Sequence, residues 1–276
     1  MNGSAEAPGS FPRTVAVIGL GLIGGSLALR LHAAGARVLG VDIDAGAIAT
    51  AQRRGAIDGG GPDLEAVAAA DLVIVATPLE QIAQVTYTAA RRMRRWAVLT
   101  DVGSVKAPIV AAVNDALPDG IHFVGGHPMA GSAGQGMAAA DAALLEGRPY
   151  ILTPTAHTAP QAVATMQAVV ARIGMRPVVL DPVQHDELVA QVSHLPYLVS
   201  LALLRAAADD AKTVGGPAWV EMTRIAHSPV AMWTAICRYN REAILRALAR
   251  LEEELARLRR GLEAGSPQEV LPRRES

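Results

Sequence analysis

Val15-Ala-Val-Ile-Gly-Leu-Gly-Leu-Ile-Gly-Gly-Ser-Leu-Ala-Leu29 decides the fold of this chain. Val15 to Ile18 reads as a short buried parallel strand, and from Gly25 the apolar positions recur with helical periodicity. Between them, Gly19-Leu20-Gly21-Leu22-Ile23-Gly24 spells the glycine turn of a dinucleotide fold. Gly19 makes the tight turn, Gly21 lets a pyrophosphate approach the backbone, and Gly24 lets helix and strand pack closely. Leu22 and Ile23 open the helix, whose first N–H groups point at the phosphates. Such a glycine pattern is unspecific by itself; placed between a strand and a helix it reads as a cofactor site, with a purely structural turn as the alternative.

Working outward, a second strand, Arg37 to Val41, ends at Asp42, close to the ~20-residue separation from the first glycine expected of a ribose-binding acid. A carboxylate there accepts hydrogen bonds from the 2'- and 3'-hydroxyls and repels a 2'-phosphate, so NAD is expected over NADP. Asp44 lies past the strand end and reads as the cap of a helix from Ala45. Further apolar runs end at Thr77-Pro78 and at Asp101, which gives a doubly wound α/β pattern whose ligands collect at the strands' carboxyl ends. Thr77 and Pro78 should line the cofactor cleft, and Asp101 to Lys106 should floor the nicotinamide. Ser104 reads as the N-cap of a helix to about Ala116, as a substrate contact, or as both.

After Phe123-Val124 comes Gly125-Gly-His-Pro-Met-Ala-Gly-Ser132. Glycines on both sides allow positive φ and close approach of a ligand, and Pro128 is expected to fix a turn that aims His127 as an acid or base. A structural histidine is the other reading. Ala138 to Leu145 reads as a helix, Pro149 to Pro154 as a strand, Gln161 to Ile173 as a helix and Arg176 to Leu180 as the last strand, which closes a nucleotide domain over residues 12–181.

At Asp181 the pattern becomes helical: an acidic N-cap, Pro182 at the first helical position and Gln184 at the third. Residues 182–264 form an all-helical domain. Pro196 should kink its first helix and bring Ser193-His194-Leu195 to a local break, where His194 faces a cleft or else packs in the core. Thr223-Arg224-Ile225-Ala226 follows the Gly215-Gly216-Pro217 break, and helix resumes from Met232. Ile244, Leu248, Leu251, Leu255, Leu258 and Leu262 alternate steps of four and three. Such a seam needs an apolar partner, and a second copy giving a homodimer is expected. Residues 1–11, continuing to about Pro12, and 265–276 are expected to be disordered tails.

Composition bounds the function. The 276 residues suit two domains, and a net charge of -1 offers no electrostatic case for nucleic acid. Positive charge is nearly all arginine, Lys106 and Lys212 being the only lysines, and the cluster Arg91, Arg92, Arg94 and Arg95 reads as a solvated helix end. Cys237 stands alone, which excludes an internal disulfide and a cysteine-rich metal site; no metal is expected. The N-terminus lacks a secretory signal's basic start and apolar core. The apolar stretch Leu195 to Leu204, broken by Pro196, falls short of the ~20 residues of a membrane span. A cytoplasmic protein without membrane contact is expected.

Val17-Ile-Gly-Leu-Gly-Leu-Ile-Gly-Gly-Ser26, Asp101-Val-Gly-Ser-Val-Lys106, Gly126-His-Pro-Met-Ala-Gly131, Arg148-Pro-Tyr-Ile-Leu-Thr-Pro154, Val192-Ser-His-Leu-Pro196, Thr223-Arg-Ile-Ala226 and Asn240-Arg-Glu-Ala243 together resemble the prephenate/arogenate dehydrogenase family, the tyrosine-forming NAD(P) enzymes. The resemblance runs from Val15 to Leu262. It implies a Rossmann-type dinucleotide domain followed by a helical dimerisation domain. The implied activity is NAD-dependent oxidative decarboxylation of prephenate to 4-hydroxyphenylpyruvate, with arogenate, or both cyclohexadienyl substrates, as the alternative. It also implies that His127 takes the proton of the ring hydroxyl as hydride departs, that Ser104 holds that hydroxyl, that Arg224 pairs with the ring carboxylate, and that His194 contacts the substrate.

Two departures stand out. Trp219-Val-Glu-Met222 fills the space where many members have Gly-Gly-Phe-Arg-Asp, and Glu221 becomes a candidate ion-pair partner for Arg224. Ser132-Ala-Gly-Gln-Gly136 stands where many prephenate users have Ser-Glu-Lys, and looks more like some arogenate users. A 3-hydroxyacid dehydrogenase of the other two-domain type would want a helical lysine with asparagine four residues on, but Gly216 follows Lys212 at that spacing. A non-catalytic NAD-binding scaffold or sensor is the reading from a different class.

Overall fold

The computed structural model describes residues 10–114, 117–132 and 134–265. Its strands are β1 (Thr14–Ile18), β2 (Arg37–Val41), β3 (Gly59–Gly61), β4 (Leu72–Val75), β5 (Val98–Asp101), β6 (His122–Pro128), β7 (Pro149–Thr153) and β8 (Arg176–Val179). They form one sheet in the order β3-β2-β1-β4-β5-β6-β7-β8. Pairing is parallel from β3 through β6, antiparallel between β6 and β7, and parallel again to β8. The order reverses at β1 and β4, so the crevice that takes ligands in such sheets opens beside the glycine turn.

The helices of this sheet are α1 (Leu22–Ala33), α2 (Ala45–Arg53), α3 (Ile82–Ala90), α4 (Ala107–Asn114) and α5 (Pro160–Arg172). Side chains alternate across each strand, so the sheet builds two cores. Val15 and Val17 pack with Leu27 and Leu31 of α1 and Met166 and Val170 of α5. Ala16 and Ile18 face the other way, with Ile82 and Ala89 of α3 and Ile109 and Val113 of α4. Burial on both faces explains why β1 and β4 read as unbroken apolar runs.

Several local expectations change in the fold. β3 is three glycines without an apolar signal; it pairs with β2, where a Cβ on Gly60 would lie 1.8 Å from the Gly40 carbonyl oxygen. His127 lies inside β6, opposite Ile151, rather than on a turn. Gly125 and Gly126 serve close packing there, since a Cβ on Gly126 would meet the Asp101 carbonyl at 2.5 Å and Tyr150 at 2.8 Å. Residues 138–145 form two single 3-10 turns, Met137–Ala139 and Ala142–Leu145, instead of a helix. Two arginines and a serine hold that segment: Arg54 donates to the Met137 and Ala140 carbonyls, Arg30 to that of Ala142, and Ser26 accepts from Asp141 N–H. The expected disorder of residues 1–9 and 266–276 lies outside the described residues; Phe11, however, packs on the first core and Pro12 is buried.

The chain divides into two compact units. The sheet unit runs to Asp186 and also takes in Ser228–Ile236; the other comprises Glu187–His227 and the chain from Cys237 onward. Beyond the sheet the elements are α6 (Pro182–Val189), a π-helical segment Ala190–His194, α7 (Leu195–Ala206), α8 (Asp209–Thr213), α9 (Pro217–Thr223), the 3-10 turn Arg224–His227, α10 (Val230–Tyr239) and α11 (Arg241–Glu263). Asp181 caps α6 as expected, accepting from Val183 N–H at 2.8 Å.

The break expected at Pro196 is absorbed rather than open. The π-helical segment ends at His194, with Leu195 N–H donating back to the Ala190 carbonyl, and this wider turn accommodates Pro196, the second residue of α7, without ending the helix. Residues 182–206 therefore make one 25-residue helical run whose most apolar 18-residue window has a mean hydropathy of 1.4, long and apolar enough by length and composition to cross a membrane. The sequence expectation of a shorter stretch is corrected here. Only 28% of its most apolar window is buried within the chain. In α11 Ile244 is buried, whereas Leu255 and Leu262 are 54% and 67% exposed, so the far half of the seam is uncovered.

Candidate active site

The glycine turn has the geometry of a pyrophosphate cradle. Gly19 takes φ +95°, and a Cβ on it would lie 2.5 Å from the Ala76 carbonyl oxygen. A Cβ on Gly24 would lie 1.9 Å from the Gly19 oxygen, so α1 closes on the turn only because both are glycine. Gly21 has nothing within 4 Å of an added Cβ, and as N-cap of α1 it has no side-chain cap. The first-turn N–H groups, those of Leu22 and Ile23 among them, are thus available to an anion.

Asp42, at the carboxyl end of β2, accepts from Leu20 N–H through Oδ2 at 2.7 Å and from Asp44 N–H through Oδ1 at 2.8 Å. It ties the strand end to the glycine turn and leaves lone pairs on both oxygens for a ribose. Asp44 caps α2 through Gly46 N–H. Thr77 and Pro78 follow β4; the Thr77 hydroxyl is buried and without a partner among the described residues. An open glycine, free helix N–H groups, a strand-end carboxylate and an orphan hydroxyl fit a dinucleotide.

Next to the cradle the structure gathers a buried polar cluster on β5, β6, α4 and α6. His127, 7% exposed, brings Nδ1 within 2.8 Å of His185 Nε2. His185 Nδ1 lies 2.8 Å from Asp186 Oδ1. The Asp186 carboxylate accepts from Lys106 N–H at 2.7 Å and from Ala107 N–H at 2.9 Å, and so caps α4. The fully buried Lys106 ammonium pairs with Asp101 and donates to the Gly126 carbonyl oxygen at 2.7 Å. Asp101 also accepts from Gly103 N–H at 2.8 Å and Gly126 N–H at 3.1 Å.

Asp101 is fully buried, and its carboxylate is engaged by Lys106 and two glycine N–H groups, so the side chain organises the strand ends. One expectation is corrected by this cluster. Ser104 does not cap α4, which begins at Ala107 with its first N–H groups held by Asp186. The half-buried Ser104 is left in the turn after β5, at the carboxyl edge of the sheet.

Burial lowers the His185 pKa below its usual value, against the opposing pull of Asp186, and burial likewise lowers that of Lys106 against Asp101 and Asp186. A histidine neutral in the fold contributes its full stability above the unfolded value of 6.5 and loses it as pH falls below that, because the unfolded chain takes up the proton first. The melting temperature should therefore drop as pH falls below about 6.5, and His185→Phe should flatten that drop; an unchanged slope would show that other groups set it.

His194 and Arg224 belong to the second unit. His194, on the π-helical segment, is buried with Nδ1 3.1 Å from Asn240 Nδ2. Arg224 is exposed in its 3-10 turn, and no ion pair joins it to Glu221 among the described residues. Lys106 and Asn240 were legible only as members of motifs, and His185-Asp186 carried no local signal beyond lying one turn into a capped helix. Among the described residues no cluster of three or more His, Cys, Asp or Glu side chains is placed to hold a metal ion.

Comparison with known proteins agrees with this geometry. Residues 26–179 match the family model for the nucleotide-binding domain of prephenate dehydrogenase, and residues 181–272 that for its dimerization domain. A prephenate dehydrogenase of Bacillus subtilis is 36% identical over 242 residues, which is 84% of this chain; the chain spans 65% of that relative's length. The structure of Synechocystis arogenate dehydrogenase superposes with a TM-score of 0.81 at 30% identity, covering 93% of this chain and 94% of that one. Prephenate dehydrogenase of A. aeolicus, solved in complex with hydroxyphenyl propionate and NAD+, gives a TM-score of 0.85 at 29% identity, covering 94% and 93%.

Proposed function

Because the chain belongs to the prephenate dehydrogenase family, with both domains of that family matched in order, we propose that it is an NAD-dependent dehydrogenase of tyrosine biosynthesis that converts prephenate to 4-hydroxyphenylpyruvate and carbon dioxide. The observation that carries this reading is His127, a nearly buried imidazole on the same sheet as the glycine turn, oriented by the contact of its Nδ1 with His185. Leu22 and Ile23 would hold the pyrophosphate, Asp42 the ribose, and Thr77 and Pro78 the cleft wall. Bound NAD+ supplies the acceptor for the hydride that leaves ring C4.

His127 takes the proton of the C4 hydroxyl as that hydride departs. Loss of carbon dioxide from C1 then sends its bonding pair into the ring, and the proton returns from His127 to what has become the phenolate oxygen. Ser104 holds the same hydroxyl. Arg224 binds the ring carboxylate, and its exposed guanidinium with no Glu221 partner favours that role over loop bracing. His194 contacts the substrate from a fixed orientation set by Asn240. The helical unit pairs with a second copy, supported by the uncovered leucines of α11 and the sparsely buried run 182–206. The compartment is the cytoplasm.

Arogenate is the second reading, favoured by the uncharged Ser132-Ala-Gly-Gln-Gly136 after the histidine strand. Initial rates with each substrate at saturating NAD decide: a higher kcat/KM for arogenate moves the assignment to it, and comparable values make the enzyme a dual cyclohexadienyl dehydrogenase. No NADH from either, with NAD still bound, would leave a scaffold or sensor.

Asp42 supports NAD over NADP. Asp42→Ser should narrow the ratio of kcat/KM between the two by removing the repulsion of the 2'-phosphate, and a wild-type enzyme faster with NADP would contradict the assignment. Arg224→Ala should lower kcat/KM by about one to two orders of magnitude for either substrate, since a charge-assisted hydrogen bond is worth roughly 1.5 to 3 kcal/mol. Arg224→Lys should fall between, keeping charge but losing the fork. An unchanged KM with a lower melting temperature in Arg224→Ala would assign the arginine to the loop instead.

A further inference from the structure

His185 and Asp186 stand behind His127, and their hydrogen bonds determine where His127 carries its proton. Asp186 accepts from Lys106 N–H at 2.7 Å and Ala107 N–H at 2.9 Å, facing the N-terminus of α4, whose dipole favours a negative charge. A carboxylate held this way is an acceptor, so the proton in the 2.8 Å contact to His185 sits on His185 Nδ1. A neutral imidazole has one N–H, which leaves a lone pair on His185 Nε2. His127 Nδ1, 2.8 Å away, must then be the donor. With its own single N–H on Nδ1, neutral His127 keeps its lone pair on Nε2.

We propose that His185, oriented by Asp186, is a positioning residue that fixes His127 in the Nδ1–H tautomer and thereby makes Nε2 the base. The inference rests on the proposed dehydrogenase reaction. Once Nε2 takes the substrate proton, the imidazolium still donates from Nδ1 to His185, with the Asp186 charge behind it. The charged and titratable groups around His185 are His127 on β6, Asp186 on its own helix, and Lys106 and Asp101 from the β5–α4 turn. Burial and the Lys106 charge both disfavour a cation on His185, so the proton stays on His127. A histidine that only filled the core would leave the tautomer of His127 unspecified.

The direct test is 15N NMR of the histidine-labelled wild-type enzyme near neutral pH, with His127→Asn identifying the signals. Nδ1 protonated and Nε2 bare is the expected state of His127; a proton on Nε2 overturns the inference. Kinetics give a second readout. Asp186→Asn removes the carboxylate charge that holds the proton on His185 Nδ1, loosens both tautomers, and should lower kcat by about 10-fold or more with KM changed only a few-fold. His185→Phe, which keeps ring volume but removes the acceptor, should lower kcat likewise and shift the acidic limb of the kcat/KM profile to lower pH. Both variants within threefold of wild type, while His127→Asn is inactive, would overturn the positioning role alone. If His127→Asn itself stays active, the proposed base is wrong, and the failure lies in the proposed reaction.

Discussion

Lys106→Met is expected to destabilise the protein by about 3 to 5 kcal/mol, the cost of leaving one partner of a buried ion pair without the other. Lys106 and Asp101 are both fully buried, and the ammonium also serves the Gly126 carbonyl at 2.7 Å. Methionine fills nearly the same volume, so the loss would come from the stranded Asp101 charge and not from a cavity. Pairing it with Asp101→Asn should recover part of the loss, because a neutral amide removes that charge while its oxygen still accepts from Gly103 or Gly126. Urea unfolding at pH 7 measures both variants. A single variant within about 1 kcal/mol of wild type would show that Asp101 is screened by water or by the two glycine N–H groups alone.

The second large effect belongs to the base. His127→Asn should lower kcat by about 10² to 10⁴, the range for loss of a general base, with NAD affinity and melting temperature near wild type. Asparagine keeps a donor for His185 Nε2 but supplies no lone pair of histidine basicity. In the wild type, kcat/KM should rise with pH along a limb set by a group of histidine-like pKa, and the variant should lack that limb. Activity within a few-fold of wild type would place the base elsewhere.

Much of this was legible in the chain. Gly19, Gly21 and Gly24 each carry the role their positions imply, because the constraints are local: a positive φ, an open approach, a helix seated on a strand. Asp44 and Asp181 were readable as helix caps, and Asp42 as the end of a strand, for the same reason, each sitting at the end or start of an element whose periodicity is clear. What escaped depends on pairing distant segments. Gly125 and Gly126 suggest a flexible turn until β5 and β7 are seen pressed against them, and His127 then falls on a strand. Ser104 has the spacing of a cap, but Asp186, far along the chain, takes the N–H groups it would have bonded. Asp101 ends a strand where ligands usually gather, and only the fold shows Lys106 paired with its carboxylate. His185 and Asp186 gain their place from α6 meeting the start of α4, and no periodicity records that contact.

The central claim is the oxidative decarboxylation, and product stoichiometry tests it most directly. Incubated with prephenate and NAD, the enzyme should release carbon dioxide and 4-hydroxyphenylpyruvate in equal amounts with NADH, and with arogenate it should release carbon dioxide and tyrosine in the same ratio. NADH formed without carbon dioxide, or no NADH from either substrate by a folded protein that binds NAD, would contradict the account.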